Sequence, residues 1–147
     1  GDPSSTQLFG QIGGRDAVFL ARHGHGHTIP PHRVNFRANL WALKEKGATR
    51  VLAICTVGGI SADLAAGAIF IPDQIIDYTW GRRSTFFEGA EQPVVHVDFT
   101  HPYCETTRRM LIDSAADAGV EVVPRATDAA SQGPRLEKSA IASAPSP

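Results

Sequence analysis

Short, almost continuously apolar runs separated by polar stretches dominate the hydrophobic pattern of this chain. Runs of this kind are typical of β-strands that are covered on both faces of a sheet. A strand with one solvated face would instead alternate between apolar and polar residues. The pattern therefore predicts buried strands at residues 17–21, 51–55, 68–77 and 94–98.

Two other segments carry apolar residues at helical spacing. The first, about 33–46, has two apolar stripes, which predict a largely buried helix that ends with Gly47 as its C′ residue. The second, about 105–118, ends at Gly119. The first helix lies between two predicted strands, and this order is a βαβ unit. The chain is therefore predicted to be α/β, with a mixed, mainly parallel twisted sheet flanked by helices.

The composition narrows the classes of partner and compartment. The chain has 147 residues with 42% hydrophobic and 20% charged residues, which is enough for one domain with a substantial core. A net charge of −1 gives no electrostatic basis for binding nucleic acid or an anionic membrane. Cys55 and Cys104 are too few for a disulfide framework. With neither a membrane span nor a signal peptide in the pattern, a cytoplasmic location is predicted.

Histidines are concentrated directly behind the first predicted strand. Four of the six histidines lie between positions 23 and 32. If the backbone stays extended, the side chains of His23, His25 and His27 share one face. The intervening glycines would bring the backbone close to whatever the imidazoles touch. This arrangement suits a metal ion or a small anion, and a solvated strand end without function is the third alternative.

The neighbours of the histidines favour an anion. Arg22 would repel a bound cation, and no carboxylate follows the cluster, whereas a guanidinium beside imidazole and glycine-exposed N–H groups suits phosphate. A second anion signal follows the predicted strand that ends at Cys55. There, Thr56 and the glycines at 58–59 would turn backbone N–H groups toward a ligand at the end of a strand. Two strand ends are thus predicted to bind phosphate.

Several motifs in register carry a family resemblance. The chain resembles the 5′-methylthioadenosine phosphorylases of the purine nucleoside phosphorylase superfamily, and within them it is most similar to the bacterial S-methyl-5′-thioinosine phosphorylase branch. The similarity covers about residues 1–137. The matching motifs are residues 22–28 (Arg-His-Gly-His-Gly-His-Thr), 34–44, 57–60, 73–79, 81–82, 97–103 and 133–137.

The resemblance implies phosphorolysis. Inorganic phosphate would attack C1′ of a 5′-methylthio purine nucleoside, releasing the purine and 5-methylthioribose 1-phosphate through an oxocarbenium-like transition state. Phosphate is then a co-substrate, no cofactor or metal is expected, and no residue acts as a covalent catalyst. The residues that match the phosphate contacts of the family are Arg22, His23, Cys55 and Thr56. Those that match its nucleoside contacts are His27, His96 and Leu136.

The resemblance also defines departures from the family. The chain is expected to be a partial phosphorylase domain over 1–137, lacking the first family strand and the later segment that reads the purine. A Ser-, Ala- and Pro-rich tail, 138–147, is predicted to be disordered. Family members of this type are trimers, and His96 would then reach the pocket of a neighbouring subunit, although it could instead be a core histidine. The function is therefore either phosphorolysis or that of an inactive remnant that binds ligand or partner; a metal-dependent hydrolase is a distant third.

Overall fold

The chain forms two compact units, and the computed structural model describes residues 1–62, 64–89, 93–131 and 140–142. The first unit combines Gly1–Ala53 with Gly81–Val95. The second combines Ile54–Trp80 with His96–Pro147. The two discontinuous units mean that the chain crosses between them more than once.

A β-hairpin opens the first unit. Strands β1 (Leu8–Ile12) and β2 (Arg15–Phe19) pair antiparallel, with Leu8 opposite Phe19 and Ile12 opposite Arg15. Gly13 and Gly14 form the two-residue connection with φ of 56° and 75°. Such left-handed pairs are the turns that match the twist of a hairpin. The predicted strand 17–21 thus exists as β2, but its partner β1 was not predicted.

The predicted first helix is confirmed within a few residues as α1 (Phe36–Glu45), after a 3₁₀ turn at Pro31–Arg33. The side chain of Asn35 caps its start by accepting the Ala38 N–H at 3.1 Å. Gly47 follows its C-cap with φ of 79° as the predicted C′ residue. The prediction that the helix is largely buried is wrong.

Exposure of the apolar side chains explains that error. Trp41 is 55% exposed and Leu40 is 47% exposed, while Asn39 is the one buried residue of α1. An apolar stripe predicts burial only if another element covers it, and within the described ranges none does so fully.

The second unit contains a four-stranded sheet in the order β3–β6–β5–β4. Its strands are β3 (Gly58–Gly59), β4 (Gln74–Asp77), β5 (Thr127–Ala130) and β6 (Ala140–Ala142). The β3–β6 and β4–β5 pairs are parallel, and the β5–β6 pair is antiparallel. The predicted α/β class with a mixed, mainly parallel sheet is therefore confirmed.

A βαβ unit exists, but it is built on β4 and β5, which lie later in the chain than the two strands of the predicted unit. Helix α2 (Glu105–Asp117) joins the parallel strands β4 and β5. The helix matches the predicted 105–118 and is followed by Gly119 with φ of 65°. Parallel neighbouring strands need a long crossover connection, because two strands joined by a tight turn run antiparallel.

Two of the predicted strands are wrong. Among the described residues, neither 51–55 nor 94–98 forms a strand, and Ile54 and Val94 are 91% and 80% exposed. A continuous apolar run becomes a strand only when neighbours pair its backbone. The predicted βαβ unit built on 51–55 fails for the same reason.

The buried core is small. Within the described ranges, the buried apolar residues are Val34, Ile71 and Ala126, which contradicts the predicted substantial core. Of the tail predicted to be disordered, Ala140–Ala142 is described and forms β6. Its other residues lie outside the described part, so the boundary at 137 stays a prediction. No helix of the described residues is both long and apolar enough to cross a bilayer.

Candidate phosphate-binding site

The histidine loop turns sharply instead of continuing β2. Residues 22–27 are turns, so the prediction of an extended segment with His23, His25 and His27 on one face is wrong. The N–H of Gly24 donates to the Ala21 carbonyl at 2.9 Å, and Gly24 has a φ of 75°. A left-handed glycine of this kind reverses the chain within one residue.

The turned loop still brings histidine side chains together. The rings of His23 and His27 stack with centroids 4.5 Å apart and planes inclined by 28°. His27 is the one non-glycine residue of the described chain with positive φ, at 57°. His25 is exposed. The loop therefore brings together two of the three histidines.

Hydrogen bonds to the N-terminal segment hold the base of the loop. The N–H of Ala21 donates to the Ser5 hydroxyl at 3.0 Å, and Ser5 is buried. The neighbouring Ser4 donates its N–H to Asn39 Oδ1 at 2.7 Å, and the Asn39 amide donates back to the Ser4 hydroxyl at 3.0 Å. Helix α1 therefore supports the loop through two buried polar residues.

The Arg22–His23 pair is the best-defined part of the site. Both residues are partly buried, and Arg22 Nε donates to His23 Nε2 at 3.2 Å. On the other side of the ring, His23 Nδ1 lies 2.8 Å from the Ile29 carbonyl oxygen. The Ile29 N–H in turn donates to the His23 carbonyl at 2.8 Å. A guanidinium held in this way is suited to an oxyanion.

This geometry does not fit a metal ligand set. A metal ligand must offer a nitrogen lone pair, but Nε2 of His23 accepts from Arg22 and Nδ1 faces a carbonyl oxygen. Across the described ranges, no group of three or more His, Cys, Asp or Glu residues is arranged to hold an ion. The histidine loop therefore fits an anion better than a cation.

Cys55 and Thr56 belong to the second unit, whereas Arg22 and His23 belong to the first. Both Cys55 and Thr56 are exposed and lead into β3, so they precede a strand rather than follow one. The phosphate roles of Cys55 and Thr56 stay predictions.

The predicted nucleoside contacts have different outcomes. His27 is exposed and stacked on His23. His96 is exposed and lies in a segment without strand structure, so it is not a core histidine. Leu136 lies outside the described residues. The roles of all three in nucleoside binding remain predictions.

A polar group that the sequence analysis missed lies in the second unit. The Oδ1 atom of Asp128, on β5, is buried and has no hydrogen-bond partner within the described part of the chain. Burial raises the pKa of this carboxyl above its usual range. Burial, followed by the charges of Asp128 and Cys55, raises the pKa of Tyr103 to about 12. No strand was predicted over Thr127–Ala130, so no pattern in the sequence marked this aspartate as buried.

Known proteins resemble the chain over nearly its whole length. A probable S-methyl-5′-thioinosine phosphorylase of Xanthomonas campestris is 52% identical over 137 residues, covering 93% of this chain and 55% of the relative. A 6-oxopurine nucleoside phosphorylase of Pyrococcus furiosus is 46% identical over 136 residues, covering 89% of this chain and 51% of the relative. The chain thus spans about half the length of these relatives.

Solved structures agree with the sequence relatives. A mutant adenosine/methylthioadenosine phosphorylase of Schistosoma mansoni in complex with adenine has a TM-score of 0.89 at 35% identity. The similarity covers 94% of this chain and 57% of that one. The methylthioadenosine phosphorylase of the same organism, also with adenine, has a TM-score of 0.85 at 34% identity, covering 94% and 54%. The family model described as the phosphorylase superfamily matches residues 2–143, and the chain therefore belongs to the phosphorylase superfamily.

Proposed function

We propose that the chain supplies the phosphate-binding half of an enzyme that cleaves a 5′-methylthio purine nucleoside by phosphorolysis. The substrate would be S-methyl-5′-thioinosine or 5′-methylthioadenosine, and the products the free purine and 5-methylthioribose 1-phosphate. The observation that carries this proposal is the Arg22–His23 pair, held by hydrogen bonds in a tight turn at the end of β2. The names of the relatives support the substrate class.

The chemistry asks the protein mainly to position phosphate and to balance charge. Phosphate attacks C1′ as the bond to the purine breaks, and the sugar carries positive charge in the transition state. Arg22 would neutralise and orient the phosphate, which keeps its attacking oxygen beside that charge. Phosphate itself is the nucleophile, so the reaction requires neither a covalent enzyme intermediate nor a cofactor. Cys55 and Thr56 would add phosphate contacts, and His27, His96 and Leu136 would contact the nucleoside.

An assay of purine release tests this function. Each nucleoside is incubated with the purified chain, with and without inorganic phosphate. Phosphate-dependent release by the wild type would support phosphorolysis by the chain alone. In Arg22→Gln we expect the phosphate KM, or the phosphate Kd where no purine is released, to rise about 10- to 100-fold, because a charged hydrogen-bonding partner contributes about 1.5–3 kcal/mol. Arg33→Gln is the matched control, since it removes the same charge from the exposed 3₁₀ turn. Equal effects of both variants would contradict the assignment of Arg22.

The second candidate function is that of an inactive remnant that binds ligand or partner. Its support is the span of about half a relative's length, together with the exposed apolar segments around Ile54 and Val94. Phosphate binding without purine release from a folded sample would favour this candidate. A homotrimer with His96 at a neighbour's pocket is also proposed, and the molar mass measured by light scattering tests it.

A further inference from the structure

A cleft in the first unit carries aromatic rings and arginines together. It lies between the start of α1 and residues 81–86, both of which belong to that unit. Its volume is about 590 Å³, and sites for small molecules typically measure about 300–1,000 Å³. Three exposed aromatic side chains, Phe36, Trp41 and Phe86, are among the residues that line it. The cleft is therefore large enough for a ligand with a flat aromatic ring.

Contacts across the cleft hold its two sides together. From α1, Arg37 donates to the Thr85 carbonyl at 2.9 Å and pairs with Glu88 at 2.8 Å. The rings of Trp41 and Phe86 meet with centroids 6.3 Å apart and planes inclined by 47°. The binding surface therefore exists before a ligand arrives, which lowers the entropic cost of binding.

The lining of the cleft is positively charged. It includes Arg33 and Arg83 but no acidic residue of the described chain. Both arginine side chains are exposed, and neither forms an ion pair within the described ranges. The first unit as a whole contains nine Lys and Arg residues against five Asp and Glu residues. The potential of this unit therefore attracts anions, which the net charge of the whole chain conceals.

We propose that this cleft binds a nucleoside monophosphate, with the phosphate held by Arg33 and Arg83 and the base stacked on Trp41. Guanidinium groups bind phosphate oxygens through charge-assisted hydrogen bonds, and two of them match the double negative charge of a phosphate monoester. A base that stacks on an aromatic side chain gains about 1–3 kcal/mol. Neither Arg22 nor His23 lines the cleft, so this inference does not depend on the proposed phosphorolysis.

Tryptophan fluorescence tests where the base binds. The chain has two tryptophans, Trp41 and Trp80, so Trp80→Phe leaves Trp41 as the one tryptophan that emits. Adenosine 5′-monophosphate is titrated into the whole chain that carries this substitution. We expect the stacked base to quench the Trp41 emission along a saturable curve. Unchanged emission overturns the proposal.

Adenosine is the matched ligand, because it has the same base and no phosphate. We expect adenosine to need an at least about 10-fold higher concentration for half of the maximal quenching of Trp41, because it cannot form the charged hydrogen bonds. Equal curves for the two ligands would mean that the arginines do not hold the phosphate, and would overturn the proposal.

Three arginine variants, compared by calorimetry, decide which charge holds the phosphate. Arg83→Gln changes the cleft, Arg50→Gln removes an exposed arginine of the same unit that does not line the cleft, and Arg22→Gln changes the proposed phosphate site. We expect the affinity for adenosine 5′-monophosphate to fall about 10- to 100-fold in Arg83→Gln and less than about 2-fold in the other two. Equal losses in Arg83→Gln and Arg50→Gln would indicate general charge attraction. A loss confined to Arg22→Gln would place the nucleotide in the phosphate site, and either result overturns the proposal.

A second copy of the chain is the other occupant that must be tested. The molar masses of wild type and Arg83→Gln are measured by light scattering, and helical circular dichroism confirms that both are folded. We expect equal masses, because the proposed ligand is a small molecule. A lower mass for Arg83→Gln, with no nucleotide binding to the wild type, would identify the cleft as a contact between copies and overturn the proposal. Purine release would still decide the proposed phosphorolysis.

Discussion

Replacing the buried Arg108 is expected to destabilise the second unit strongly. This residue lies on α2 with its side chain only 10% exposed. Its Nε donates to the Pro72 carbonyl at 2.8 Å, and one Nη donates to the Pro124 carbonyl. These carbonyls lie just before β4 and β5, so a single guanidinium ties the helix to the segments that lead into both strands.

The magnitude follows from these contacts. Hydrogen bonds to a charged group contribute about 1.5–3 kcal/mol each, so losing the bonds to Pro72 and Pro124 costs about 3–6 kcal/mol. Arg108→Met keeps the length of the side chain and removes the donors. With a urea slope of about 2 kcal/mol per molar, the unfolding midpoint falls by about 2 M. Helical circular dichroism during urea unfolding measures this change.

The control variant lies on the same helix. Arg108 and Arg109 both pair with Glu105. The Arg109 Nε lies 3.1 Å from Glu105 Oε1, but the Arg109 side chain is 75% exposed. Exposed pairs contribute little, so Arg109→Met is expected to shift the midpoint by a small fraction of the Arg108→Met shift. Arg108→Lys, which retains one donor group, is expected to fall between the two. Equal midpoints for the two methionine variants would refute the reasoning, because burial would then not matter.

Three further predictions concern the loop, the sheet and α1. Gly24→Ala and Gly26→Ala share a left-handed cost of about 1–2 kcal/mol, but only Gly24→Ala meets atoms closer than 3.4 Å, so it should weaken phosphate binding more; equal titration curves would argue against the turn geometry. Because burial raises the pKa of Asp128 in the folded state, the stabilisation is present at pH values below the usual carboxyl pKa and is lost as the pH rises. Asp128→Asn should therefore raise the urea midpoint at pH 8 more than at pH 4. A difference between the variant and the wild type that does not change with pH would contradict this. Asn39→Ala removes both bonds to Ser4 and should cost about 1–3 kcal/mol in urea unfolding, whereas an unchanged midpoint would mean that water replaces them.

The helices were predictable because their limits depend on nearby residues. Asn35 caps α1 through the N–H of Ala38, and Gly47 follows its C-cap, all within the helix's own sequence. The predictions of strands at 51–55 and 94–98 failed, since a strand depends on a partner from elsewhere in the chain. The hairpin was missed although the glycines at 13–14 are its signal.

The site shows the same division. Arg22 and His23 were identified from motifs and from the family resemblance, because side-chain chemistry is written in the sequence. The extended geometry assumed for the histidines was wrong, since the positive φ of Gly24 turns the chain. Which nitrogen of His23 faces Arg22 depended on the Ile29 carbonyl, and no pattern of residue types predicts that contact.

By itself, the sequence determined the family, the α/β class and both helices, and it predicted the residues suited to phosphate. These properties depend on residue identity and on interactions within a few positions. Only the tertiary structure decided which apolar runs pair as strands, how the histidine loop turns and which groups the His23 ring contacts. Each of these depends on hydrogen-bond partners and neighbouring surfaces that lie beyond the local segment, so residue types along the chain cannot specify them.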